Sequence, residues 1–134
     1  MVKALALVLL VATANAAAAD SIEVRAQRAE QLEATPVGIA YQDLMWPRVR
    51  QHVANLMRSC VDTTKSDDLT SFVWVANIAA NGTPVDLDVS PATDIALCFS
   101  KGMKDAPFPK TPTEFSRSGM PVTLRMNLHN QPPP

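Results

Sequence analysis

The sequence predicts an α+β domain: a three-stranded antiparallel sheet in the order second, first, third, one helix across its apolar face, and a further helix N-terminal to the first strand. Three observations predict it. Ser71 to Ser90 reads as two strands around Asn81-Gly82. Two stretches, Val37 to Cys60 and Pro91 to Lys104, carry apolar residues at steps of three and four. Gly119 to Leu128 alternates apolar and polar residues.

The hairpin is the best specified element. Asn-Gly favours a two-residue type I′ turn, because both central positions need positive φ. Counting outward sets Ala80 opposite Thr83, Ile78 opposite Val85, Ala76 opposite Leu87 and Trp74 opposite Val89, with Phe72 extending that face. The other face pairs Asn77 with Asp86 and Val75 with Asp88 and is expected to be mostly wet. A slip of one residue would exchange the two faces. Pro84, expected opposite Ala79, has no N–H to offer a further strand. The second strand is therefore expected at an edge, and the last strand beside the first.

At the start, Met1-Val2-Lys3, the apolar run Ala4 to Ala14 and the small-x-small box Ala14-Asn15-Ala16 read as a signal peptide, residues 1–16. The competing reading is a retained anchor, but a spanning helix wants about 20 apolar residues. The whole chain carries a formal charge of −1, and loss of Lys3 brings it near −2. About 118 residues then remain, enough for one core. So balanced a charge gives no sign of a nucleic-acid partner. Residues 17–36 form a polar lead, Ala/Glu/Arg-rich from Asp20 to Thr35, read as a short tether or a frayed helix.

In the first helix, residues 37–60, the stripe is Tyr41, Met45, Val49, Val53, Leu56, Met57 and Cys60. Pro47 either kinks this helix or starts it. Arg48, Arg50, His52 and Arg58 read as its solvated face. Asp62 to Ser71 is a polar loop. Ser90-Pro91 reads as an N-cap with proline at N1, and Ile95, Cys98, Phe99 and Met103 are the second stripe. Pro107, Pro109 and Pro112 end that helix and force an irregular crossing. The tail, residues 130–134, is expected to be disordered.

Chemistry is sparse. His52 and His129 have no partner at metal-ligand spacing, and four glycines make no phosphate loop. Asp86 and Asp88 fall together by strand alternation. Asn81-Gly82-Thr83 matches a glycosylation sequon that the turn already explains. No enzyme activity, cofactor or metal is expected. Cys60 and Cys98, the two cysteines, lie on inward stripes of an exported chain and read as one disulfide; two buried free thiols are the alternative.

Four runs carry a family resemblance: GTPVDLDVS (Gly82 to Ser90), DIALC (Asp94 to Cys98), FPKTP (Phe108 to Pro112) and PVTLRMNL (Pro121 to Leu128). In this order they resemble the C-terminal periplasmic domain of the TonB and TolA proteins, over residues 37–129. Ala96-Leu97-Cys98 followed by Pro109-Lys110-Thr111-Pro112 is especially similar to TolA, as is the preceding helix with Tyr41. In TolA a cysteine of this helix pairs with one near the first strand, whereas Cys60 lies upstream of it. The resemblance implies a periplasmic domain that binds another cell-envelope protein. As a helix, Asp20 to Thr35 would reach about 24 Å, so the chain looks like that terminal domain alone. The expected means of binding is strand addition at the last strand: Val122, Thr123, Leu124, Arg125, Met126, Asn127 and Leu128. The alternative is a small secreted inhibitor or immunity-type protein presenting the Pro-rich loop 105–118. No membrane span is expected after signal cleavage, and the oligomeric state is left open.

Overall fold

The computed structural model describes residues 20–130. The expected signal peptide and residues 131–134 of the tail lie outside them. The elements are α1 (Ile22–Glu33), α2 (Pro36–Thr64), β1 (Phe72–Ile78), β2 (Pro84–Ser90), α3 (Asp94–Gly102) and β3 (Met120–Met126). Short 3-10 turns follow α3, precede β3 and follow β3. The sheet order is β2-β1-β3, antiparallel throughout, as expected. Among the described residues no helix is long and apolar enough to cross a membrane.

The hairpin turn differs from the expected one. Gly82 N–H donates to the Ala79 carbonyl and Ala79 N–H to Thr83, so the loop has three residues, Ala80 to Gly82. Only Gly82 has positive φ there (+92°), whereas a type I′ turn would need it at Asn81 too. Asn81 instead accepts from Thr83 N–H through its side chain (3.0 Å). The register beside the turn is therefore one residue off: Ile78 faces Pro84 and Asn77 faces Val85. A bulge corrects it. Asp86 adopts left-handed φ (54°), and from Val75–Asp88 outward the expected pairs return, Trp74 opposite Val89 among them. Pro84 still turns its missing N–H outward from an edge strand.

One face of the sheet carries Phe72, Trp74, Ala76 and Ile78 of β1 and Met120, Val122 and Leu124 of β3. Tyr41, Met45, Val49, Met57 and Cys60 of α2 close over it, with Ile95, Ala96 and Phe99 of α3 and Met103 just beyond. Trp74 packs edge-on to Phe99 (6.4 Å) and stacks on Phe108 (6.2 Å). Helix α2 starts at Thr35, whose side chain caps Gly38 N–H, and Pro36 takes the first turn. Pro47 therefore sits inside α2 rather than starting it. The helix runs four residues past Cys60 and stops at Lys65 in left-handed φ. The N-cap of α3 is Thr93, not Ser90; the Ser90-Pro91 bond is cis and lies before the helix.

The opposite face corrects two expectations. The polar lead is α1, capped by Ser21. It lies across β3 and β1, with Ala26 and Ala29 fully buried. The face expected to be wet is covered there: Val75 is 1% exposed and Thr123 8%. The sheet thus has helices on both sides, three in all rather than two. The α1–α2 corner is tight. A Cβ on Gly38 would stand 1.9 Å from the Leu32 carbonyl oxygen, so only glycine lets α2 start there.

Candidate interaction surface

The backbone pairing decides which groups of the outer strand have no strand partner. Ala79 and Thr83 form the hydrogen-bonded pair that closes the hairpin. Successive residues alternate sides, so Phe72, Trp74, Ala76 and Ile78 turn their N–H and C=O toward β3. Their partners are Met126, Leu124, Val122 and Met120. Pro121, Thr123 and Arg125 therefore direct their backbone groups away from the sheet. Proline has no N–H, so the donors on this edge are Thr123 and Arg125.

This edge is the floor of a groove of about 360 Å³. Residues 123–126 form the floor. Trp46, Val53 and Gln42 of α2 form one wall, Glu30 and Glu33 of α1 the other. The walls differ because α1 and α2 leave their common corner on opposite faces of the sheet. Trp46 and Val53 are half-buried against the main core. On the α1 side, Arg125 Nε bonds Glu30 (2.5 Å) and Nη2 bonds Glu23 (3.0 Å). The bonds to Glu23 and Glu30 push the Arg125 pKa up. Burial, then the Glu30 carboxylate, push Glu33 up. Among the described residues Glu33 has no cationic partner.

Of the expected edge residues, Val122 to Met126 lie in β3; Asn127 and Leu128 lie past its end, Leu128 opening a 3-10 turn. Asn127 caps that turn by accepting from His129 N–H (3.0 Å), so the strand stops where its side chain takes over the backbone donor. Sequence alternation identified the strand but not its groove, because the α1 segment was read as a tether or a frayed helix and not as a helix packed on the sheet.

The cysteines are bonded, Cys60 to Cys98, with Cα atoms 5.7 Å apart, joining α2 to α3. His52 is not on a solvated face: the Gly102 carbonyl accepts from its Nε2 (3.0 Å). His129 lies on the exposed final turn. Asp86 accepts from the Asn77 side-chain amide through its carboxylate and Asp88 from Val89 N–H, so the two carboxylates have separate partners. Among the described residues no three His, Cys, Asp or Glu side chains could share a metal ion. A polar hollow of about 380 Å³ lies between α1 and β2. Arg28 and Asp20 pair beside it (2.9 Å), and Arg25 reaches the Asp86 carbonyl (2.6 Å), so its charges are largely taken up within the chain.

The loop 105–118 is strapped down rather than presented. Ala106, Phe108 and Pro109 are buried. The Pro109 carbonyl accepts from Tyr41 Oη (2.8 Å), and Thr111 N–H donates to Ala80 (3.3 Å). Burial of Tyr41 pushes its pKa up to about 12, against a smaller lowering by Arg48. Exposed residues gather only from Thr113 on, and there Phe115 still packs against the core. Comparison with protein families, curated proteins and solved structures finds no match to this chain.

Proposed function

We propose that this chain is a protein-interaction domain exported to the periplasm, where it takes an extended segment of a cell-envelope partner as a fourth strand beside β3. One observation carries the reading: β3 is an edge whose outward backbone groups line the floor of a groove, whereas the other edge is blunted by Pro84 and by the bulge at Asp86. The four runs resembling TonB and TolA domains support the compartment and the kind of partner. An inhibitor loop draws less support, because the middle of 105–118 is held in the core.

The test is site-specific photocrosslinking in the cell. A photoreactive residue replaces Arg125 in one variant and Lys101, on the outer side of α3, in another. Adducts to an envelope protein from Arg125 and not from Lys101 are expected. Adducts only from Lys101 would overturn strand addition. The Lys101 variant also controls for export and folding.

A further inference from the structure

A strand laid beside β3 must send its side chains alternately to the two faces of the sheet. Residues directly opposite Thr123 and Arg125 turn to the α1 side, where Glu30 and Glu33 stand. Residues opposite Leu124 and Met126 turn to the α2 side, where Trp46 and Val53 stand. We infer that the groove selects an extended peptide in which apolar residues alternate with lysine or arginine, the basic side chains opposite Thr123 and Arg125. This rests on the strand-addition reading and specifies its ligand.

Charge supports the assignment. The α1 wall offers two carboxylates near the groove, and Glu23 lies beyond. The one base there, Arg125, is already bonded to Glu30 and Glu23. Glu33 is left as a half-buried carboxylate with no cation among the described residues. A lysine or arginine from the ligand would supply that cation. An acidic residue there would be placed among like charges, which opposes binding. The α2 wall behaves oppositely: it gains by covering Trp46 and Val53 with apolar area. A second copy of this chain fits poorly, because its own β3 lies between its own α1 and α2, and both would have to enter the groove.

The experiment uses three short synthetic peptides and the mature chain, with fluorescence anisotropy as the readout. One alternates valine with lysine, one alternates valine with glutamate, and one has the valines and lysines of the first in two blocks. The alternating valine–lysine peptide should bind about tenfold or more tighter than either of the others. Glu33→Gln should remove most of its advantage over the glutamate peptide while leaving the circular dichroism of the chain unchanged. Equal binding of the two alternating peptides, both weakened by Thr123→Pro, would overturn the inference and leave strand addition standing. Equal binding of the alternating and block lysine peptides would show bulk charge attraction and overturn it as well. No binding of any peptide, with a concentration-dependent dimer, would overturn both readings in favour of a second copy.

Discussion

The two faces of the sheet are held by different physics. The α2/α3 face is filled by large side chains: Trp74, Tyr41, Phe99, Met45 and Ile95 are all essentially buried. The α1 face is closed by Ala26 and Ala29, which bring the helix near the strands but bury little area each. Leu32 adds an apolar contact at the end of the helix, and the rest of its hold is polar: Arg125 to Glu23 and Glu30, and Arg25 to the Asp86 carbonyl. The first face sets global stability, because burial of apolar area scales with side-chain size. The second positions a layer expected to open at lower cost than the rest, since it buries less apolar area. It is also the layer that forms one wall of the groove.

The sharpest contrast comes from neighbouring residues of β1. Trp74→Ala should cost about 3–5 kcal/mol, through the cavity between Phe99 and Phe108. Val75→Ala, on the other face, should cost about 2 kcal/mol or less. Denaturant unfolding measures both. Equal costs would break the distinction between the faces.

The disulfide reinforces the same side. It closes a sequence separation of 38, for which the chain-entropy model gives about 4 kcal/mol. Replacing both cysteines with alanine should loosen the end of α2 first, since only Met57 and Cys60 are buried beyond Val49. Amide exchange should rise over residues 57–64 before 36–50. Faster exchange in the hairpin first would mean that the bridge anchors the sheet, not the helix.

Which parts could be read in advance follows from the same contrast. Asn81-Gly82, the alternation of the strands and the apolar stripes of α2 and α3 are signals made by large side chains or by turn chemistry, and they identified the sheet order and one helical layer. The bond between Cys60 and Cys98 was legible because both fall on those stripes. Helix α1 was legible only as one of two readings, a tether or a frayed helix, and its packing on the sheet was not. Alanine at positions 26 and 29 looks the same in a tether as in a close helix–sheet contact, and of its other residues only Ile22, Val24 and Leu32 are apolar. Arg125 reads as an ordinary solvent-side residue of an alternating strand; only α1 makes it a tie. The bulge escaped notice because positive φ at an aspartate leaves no mark in composition, unlike glycine. The groove depends on both helices, so it could not be inferred while one wall was missing.

Overfilling the small-residue layer comes next in size. Ala29→Leu should cost about 1–3 kcal/mol, because the extra atoms have no space at a fully buried contact. Rapid exchange across residues 22–33, with the hairpin still protected, is the expected pattern. A cooperative loss of both would show that α1 is part of the main folding unit.

Tyr41 probes the large-residue side through pH. It is the one tyrosine of the chain, so tyrosinate absorbance reports a single site. Its folded pKa lies near 12 against an ordinary value of 10.0. The folded state therefore holds this proton more tightly than the unfolded state, and the contribution is complete below pH 10 and lost as pH rises toward 12. Tyr41→Phe should abolish that alkaline loss and cost about 1 kcal/mol at neutral pH, from the bond to Pro109. Titration near the ordinary value with the fold intact would show that the phenol is open to water.

The smallest effect, and the one most specific to the polar layer, is expected at Arg125. Its guanidinium and both carboxylates are exposed by roughly half, so solvent and salt screen them. Such pairs contribute about 0–1 kcal/mol each, and Arg125→Gln should hardly move the global unfolding midpoint. Its effect should appear in local opening of α1, because the same two contacts carry a larger share of a weakly held layer. Exchange of residues 22–33 should speed up in low salt, and the difference from the parent chain should shrink as salt rises, since the parent loses the same interaction by screening. Trp74→Ala should show no such convergence, because apolar packing is not screened. If Arg125→Gln and the parent differ equally at low and high salt, the contact works through packing of the arginine stem, and the division between an apolar face and an electrostatic one would have to be redrawn.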